Sequence, residues 1–390
     1  MNAPPRLSRL PPSLPRPRPA FAEEQSASLD QQLEATRAEH GLPAIAAAVA
    51  KKGEIVASGA AGVRAYGRNE KVTVNDRFHI GSDTKAMTAT LAGMLVDEGK
   101  LRWTSTIGEV LGGEIPGMRP RLAGVTLEQL LSHSGGISPD NDEILRLYFN
   151  PDNFHYEAPE MRIRAIRALK AHLLRTPPGL GFHYSNCGYM IAGAMIEKAA
   201  GVSWEEFLTT RLYAPLKLTT AGIGPQATTG RFDAAVGHNL DDSGKITPMP
   251  WGPAADLPPL VGPAGCAHMS VLDFARWASW NASGGKRGPA LVKPETLLEI
   301  HRPRISTGKL PNARPGTPQE GEYAFGWGVI KFDWTANPVL THNGSNSMNF
   351  AKVLVDKNKD LAITLTTNIA GKRAEDALLR LQQALYLKYA

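Results

Sequence analysis

The stretch Phe78-His79-Ile80-Gly81-Ser82-Asp83-Thr84-Lys85 decides how the rest of the chain is read. A short extended run reaches a glycine, and Met87, Leu91, Met94 and Leu95 then recur at helical spacing as far as Gly99. A helix opening at Ser82 sets Ser82 and Lys85 on one face, with roughly 5–6 Å between Cβ atoms. At that separation an amine can take the hydroxyl proton. Serine is a weak nucleophile until such a base adjoins it, and burial lowers a lysine pKa toward the range where the amine can be that base. The same residues could also be a plain helix cap with a solvated first-turn charge.

Context separates this motif from its repeats. Ser-x-x-Lys occurs three times, where ordinary residue frequencies give roughly one by chance. Ser283 to Lys286 runs through Gly284-Gly285, and Ser306 to Lys309 is followed by Pro311 and Pro315. Neither setting holds two side chains in fixed register.

At 390 residues the chain can bury a large core, and two lobes are expected. An apolar content of 42% with 21% charged residues is that of an ordinary globular protein, and no apolar run reaches the roughly 20 residues of a membrane span. Cys187 and Cys266 cannot build a disulfide framework, no Cys/His spacing resembles a zinc site, and no His-Glu-x-x-His occurs. No metal and no cofactor is expected. Of the net charge of +6, four units come from Arg6, Arg9, Arg16 and Arg18, which leaves +2 for the body and argues against nucleic-acid binding. Those arginines share residues 1–22 with seven prolines, so this stretch reads as a disordered leader. It lacks the apolar segment of an export signal. A cytoplasmic location is the default expectation, with periplasmic and secreted alternatives open.

Leu29, Leu33 and Arg37 space a first helix ended by Gly41, and Ala44–Ala50 with Glu54–Ala60 reads as a β-hairpin. The middle is helix-rich. Thr126-Leu127-Glu128-Gln129 and Ser203-Trp204-Glu205-Glu206 are capping boxes, and Ser270 is a further start. Ile163, Ile166, Leu169 and Leu173 mark an amphipathic helix, and another spans Asn186 to Ala200. Tyr323–Phe332, Pro338–Thr341, Phe350–Val355 and Leu361–Thr367 read as strands before a last helix from Arg373 to about Tyr386. The fold class is therefore α+β: an antiparallel sheet flanked by helices and built from both chain ends, with a mostly helical lobe inserted. Residues 23–100 and 305–390 would form the sheet domain and 101–304 the lobe, with the site in the cleft between them.

A Ser–Lys pair needs a group to protonate the leaving atom and donors for the oxyanion. Tyr184-Ser185-Asn186 follows the breaker Pro177-Pro178-Gly179 and opens a helix. A phenol near cationic groups can lose its proton and relay one, while an Asn amide can bind a carbonyl and steady the lysine. Tyr148-Phe149-Asn150 is a rival with the same spacing. His342-Asn343-Gly344-Ser345 ends a predicted strand, where glycine lets backbone lie edge-on to a ligand. His133-Ser134-Gly135 imitates it at the end of a helical segment. Pocket walls are expected from the loops Ser138–Asn153 and Thr247–Pro263.

The ordered set Ser-x-x-Lys, Tyr-Ser-Asn and late His-x-Gly resembles the penicillin-recognising serine hydrolases. Within them it is similar to the class C β-lactamase branch, which includes family VIII carboxylesterases and D-amino-acid peptidases. The resemblance runs from about residue 28 to the C-terminus, and Leu130–Gly136, Pro177-Pro178-Gly179 and Gly326-Trp327-Gly328 share it. It implies that Ser82 is acylated, Lys85 is its base, and Tyr184 protonates the leaving group and later activates water. Asn186 would orient the acyl side, His342, Asn343 and Gly344 would line the substrate site, and the Ser82 and Ser345 amides would form the oxyanion hole. One departure matters. The family's penicillin-recognising members usually carry Lys-Thr-Gly at the third motif, and this chain has none. A neutral imidazole is a poorer anchor for the β-lactam carboxylate. The reading is thus a serine hydrolase of small esters, with a β-lactamase or D-amino-acid amidase as the nearer rival and a silent ligand-binding protein as the farther one. An α/β-hydrolase is disfavoured because no Gly-x-Ser-x-Gly occurs. The partner is a small ester or amide, and oligomeric state stays open.

Overall fold

The computed structural model describes residues 27–170, 174–309 and 317–390. The leader, Leu173, Pro311 and Pro315 lie outside the described residues. Nine strands make one sheet in the order Ala27–Ser28, Glu54–Gly62, Ala44–Lys51, Leu361–Thr367, Phe350–Asp356, Val339–Ser345, Gly328–Ile330, Glu322–Tyr323, Ile305–Ser306. Neighbours are antiparallel except the first pair, which is parallel. The sheet therefore joins the first strands of the chain to the last ones, as the sequence pattern implied.

The central strand Ala44–Lys51 shows why it sits in the middle. Ala44, Ala46, Ala48 and Ala50 face one apolar cluster, whereas Ile45, Ala47 and Val49 face the other. Both faces are buried, so the run is continuously apolar instead of alternating with polar residues. The helices Asp30–His40 and Lys372–Tyr389 cover one face. Val271–Ala282 packs on the other, against Leu361–Thr367 and Ala44–Lys51. Gly41 ends the first helix in the left-handed region (φ 61°), as its position suggested.

Around Ser82 the local structure departs from the sequence reading. Gly81–Asp83 is a single 3-10 turn and the α-helix begins at Thr84, running to Asp97. No side chain caps that helix start, so the plain-cap reading of Ser82 does not apply. The turn is pinned from outside. Arg77–His79 pairs with Ala267–Ser270, the Ile80 amide donates to the Ala267 carbonyl (2.9 Å), and the Thr84 hydroxyl accepts from the Ala267 amide (3.1 Å).

The helix Asn186–Ala200 starts and ends where the sequence placed it, with Ser185 accepting from the Gly188 amide and Gly201 left-handed. Thr126 forms the complete capping box, whereas Ser203 accepts from the Glu206 amide without the reciprocal bond. Two late strands differ from expectation. Tyr323–Phe332 is broken by a turn into Glu322–Tyr323 and Gly328–Ile330, and Val339–Ser345 continues through the His-x-Gly motif instead of ending before it. Among the described residues no helix is long and apolar enough to cross a membrane.

Arg162, fully buried on Ala158–Leu169, ties the helical region together. It pairs with Glu197 and Glu205 and donates to the Pro259 and Leu260 carbonyls (2.9 and 3.1 Å). Removing one side of a buried pair strands the other charge. Arg162→Met is expected to lower the unfolding free energy by about 3–5 kcal/mol in chemical denaturation. A change below about 1 kcal/mol would show that the cluster is not holding these helices.

Candidate active site

The site is built around one buried amine. Lys85 is fully buried, one helical turn from Ser82, and its Nζ lies 3.0 Å from Ser82 Oγ. The same nitrogen donates to Asn186 Oδ1 and to the Ala264 carbonyl, both at 2.7 Å. Burial, the largest effect, pulls the Lys85 pKa down to about 7, against the opposing pull of Asp140 and Asp83. A neutral amine has two N–H donors and one lone pair. Both donors are taken by oxygens that can only accept, so the lone pair is left for the Ser82 hydroxyl.

Tyr184 completes the cluster. Its hydroxyl is close enough to Ser82 to be influenced by it, and its ring centroid lies 4.7 Å from Lys85 Nζ. The sequence reading gave this phenol the capacity to lose a proton near cationic groups and to relay one. Burial pushes its pKa up, the Ser82 hydroxyl opposes the rise, and Asp83 and Asp140 add to it. The phenol therefore rests protonated. Its ring packs 4.3 Å from the ring of His133, whose Nδ1 accepts from the Ser185 amide (3.1 Å). The residue that looked like an imitation of the third motif is thus a support for the second. The rival Tyr148 sits just behind, its hydroxyl donating to Asp140 Oδ1 at 3.3 Å. Cys187 is buried with its thiol pushed up to about 12, the state of a small apolar residue.

The late strand meets the Ser82 turn backbone to backbone. A Cβ at Gly81 would lie 2.2 Å from Ser345 N, and one at Gly344 would lie 1.8 Å from the Ile80 carbonyl oxygen. Only glycine at both positions lets the strand approach this closely. The Ser82 and Ser345 amides are thereby brought to adjoining places. His342 is buried and satisfied at both nitrogens, with Nε2 2.9 Å from the Tyr323 hydroxyl and Nδ1 2.8 Å from the Asn343 carbonyl. Burial, more than the nearby Lys85 charge, lowers its pKa to about 3, so it stays uncharged. Asn343 points to the opposite face of the strand, where Oδ1 accepts from Lys352 Nζ (2.6 Å) beside a cavity also lined by Glu375 and Leu379. Ser82, Lys85, Tyr184, Asn186, Gly344 and Ser345 therefore converge, His342 backs them, and the Asn343 side chain does not join them.

Several contributors were not apparent from sequence. Asp140 accepts from Asn186 Nδ2 (2.7 Å), which fixes the amide with its oxygen toward Lys85. His79 Nδ1 accepts from the Gly81 amide (3.0 Å), and its Nε2 lies 2.8 Å from Asp256, which also accepts from Asn346 Nδ2 (3.0 Å). One carboxylate thus links the residues just before Ser82 to the residue just after Ser345. Asp140 and Asp256 do lie in the two loops expected to wall the pocket, but nothing local marks their partners. Asp83, next to Ser82, is buried 3.7 Å from His342 Nδ1, and burial pushes its pKa well up toward the neutral acid.

This fold, with a serine and a buried lysine one helical turn apart beside the strand Val339–Ser345, is that of the penicillin-recognising serine hydrolases. The chain belongs to the Beta-lactamase family, whose model matches residues 29–388, and it is a serine hydrolase of that superfamily. It is 29% identical over 342 residues to Penicillin-binding protein 4 of Amycolatopsis lactamdurans, covering 87% of this chain and 84% of that protein. Among solved structures it is similar to the octameric penicillin-binding protein homologue from Pyrococcus abyssi (TM-score 0.74, 25% identity, 91% of this chain and 77% of that one). The D-amino acid amidase of Ochrobactrum anthropi SV3 shares the fold at 19% identity (TM-score 0.71, covering 92% of this chain and 98% of that one).

Gly344→Ala must move either the strand or the Ser82 turn. It is expected to cost about 1–3 kcal/mol, read as a lower Tm. Gly113→Ala, where a Cβ would meet nothing within 4 Å, is the matched control and is expected to keep the wild-type Tm. Equal Tm values for both variants would mean that the strand does not press on the turn.

Proposed function

We propose that the protein hydrolyses small carboxylic esters through an acyl-enzyme on Ser82, without a cofactor. The observation that carries this reading is the set of contacts at Lys85 Nζ, with Asn186 Oδ1 and the Ala264 carbonyl at 2.7 Å and Ser82 Oγ at 3.0 Å, so that once deprotonated the amine keeps its two N–H groups on the first two and turns its lone pair to Ser82. In acylation the Ser82 hydroxyl proton passes to Lys85 as Oγ attacks the carbonyl carbon. Tyr184 then gives its proton to the leaving oxygen as the ester bond breaks, and the resulting phenolate is stabilised by the new ammonium beside it. In deacylation a water loses a proton to the phenolate while attacking the acyl carbon, and Lys85 returns its proton to Ser82 Oγ. Each group ends as it began.

The Ser82 and Ser345 amides are assigned to the developing oxyanion, a role in which losing one donor costs about 10²–10³ in turnover. Asn186 is assigned to the acyl side of the substrate. His342 favours esters over β-lactams, because a buried neutral imidazole offers no charge to a substrate carboxylate.

Intact mass after a fluorophosphonate, together with turnover of p-nitrophenyl butyrate and nitrocefin, tests the assignment. Wild type is expected to gain one adduct and to turn over the butyrate far faster than nitrocefin. Ser82→Ala should lose both adduct and turnover, whereas Ser283→Ala and Ser306→Ala should keep them. An adduct that persists in Ser82→Ala would refute the nucleophile, and faster turnover of nitrocefin would refute the ester preference. The pH dependence follows from Lys85. Below its pKa the amine is protonated and cannot accept, so kcat/KM should fall on acidification with an apparent pKa of about 7. A profile flat from about pH 5 to 9 would remove Lys85 as the base.

A further inference from the structure

Both amides assigned to the oxyanion stand where regular structure gives out. Ser82 lies inside the three-residue turn Gly81–Asp83, and Ser345 is the last residue of the strand Val339–Ser345. Two residues further on, Ser347 is left-handed without being glycine (φ 71°), so the chain leaves the sheet through a bent turn. The Gly81–Gly344 contact sets how near the two segments come. Steric contact has no direction, and by itself it lets one segment slide along the other. An oxyanion hole needs its two donors aimed at one point before the charge arrives.

The directional contacts across this junction meet at Asp256. Its Oδ1 accepts from the Leu257 amide (2.7 Å) and from Asn346 Nδ2 (3.0 Å), and Oδ2 has no hydrogen-bond partner among the described residues. His79 Nδ1 accepts from the Gly81 amide (3.0 Å), so the imidazole carries a proton on Nε2, which lies 2.8 Å from the same Oδ1. Asn346 passes the constraint on. Its Oδ1 accepts from the Met348 amide (3.2 Å) and from Asn349 Nδ2 (3.0 Å), which holds the bent turn. His79, Asp256 and Asn346 are all buried, so little water competes for these donors. One carboxylate oxygen thus reaches, through one side chain each, the amide before Ser82 and the residue after Ser345.

We propose that Asp256 is the positioning residue of the oxyanion hole: through His79 and Asn346 it fixes the Ser82 amide relative to the Ser345 amide, and the tetrahedral state depends on it more than substrate binding does. The inference rests on the acyl-enzyme reading above. The acceptor oxygen does this and not the charge, because a negative charge nearby can only oppose the oxyanion. Asparagine can supply the same oxygen, with its NH2 group on the side where Oδ2 has no partner.

The test compares p-nitrophenyl butyrate with O-(p-nitrophenyl) thionobutyrate, in which sulfur replaces the carbonyl oxygen. Sulfur is larger and a weaker acceptor, so the oxo-to-thiono ratio of kcat/KM within one protein reports how well the hole is aimed. A general loosening of the fold lowers both substrates alike and leaves that ratio alone. Wild type is expected to favour the oxo ester by about tenfold or more beyond the ratio of spontaneous hydrolysis. Asp256→Ala should lower kcat for the butyrate by about 10²-fold with little change in KM, and bring the ratio close to the spontaneous one. Asp256→Asn should restore most of both. Asn346→Ala cuts only the arm to the late strand and should shrink the ratio in the same direction, so the test stands even where Asp256→Ala does not fold. An unchanged ratio in either alanine variant, or a wild-type ratio no larger than the spontaneous one, would overturn the positioning role while ester turnover still stood. Absence of any ester turnover and of any adduct on Ser82 would overturn the acyl-enzyme reading and the positioning role with it.

Discussion

Burying an amine among hydrogen-bond acceptors is the constraint on which the rest of this structure depends. Taking Lys85 out of water disfavours its charged form. The Asn186 and Ala264 oxygens then fix the direction of what remains, because each consumes one N–H. Those two acceptors come from separate elements of the middle region, the helix Asn186–Ala200 and the segment leading to Ala267–Ser270. The long middle region is therefore needed to orient a group that the first hundred residues already contain.

Close approach is the second requirement. Gly81 and Gly344 let a strand of the late sheet touch the turn that carries Ser82, with no side chain between them. That contact is only as good as its bracing. The His79–Asp256–Asn346 link spans the same junction on the other side, and the Arg162 cluster holds the Pro259–Leu260 carbonyls that precede Ala264. Burial raises the energetic stakes of each of these links, since an unpaired polar group there loses its water without replacement.

What could be read from sequence was what depends on neighbours along the chain. The hairpin at Lys52-Gly53, the stop at Gly41 and the helix from Asn186 to Gly201 are set by turn chemistry and periodicity, and they fall where those signals put them. The Ser–Lys pair was legible for the same reason. What could not be read depends on residues brought from far away. His133 looked like a stray copy of a motif until the fold laid it against Tyr184. The resting state of the Tyr184 phenol could not be read along the chain, because its burial is a tertiary fact. Asn343 was grouped with the site although strand alternation turns it to the far face, an outcome that follows once the strand is known to run on to Ser345. Asp140 carried no local signal, since its meaning comes from Asn186, 46 positions away.

The central claim is that Lys85 loses its proton near pH 7 and then turns its lone pair to Ser82. Titration of the protein by NMR with its lysine side chains ¹³C-labelled measures this directly, with the Lys85 signal assigned by its loss in Lys85→Met. The account predicts one lysine resonance that titrates near pH 7 while the exposed lysines titrate in their ordinary alkaline range. A Lys85 resonance that stays in the charged form up to that alkaline range would contradict it.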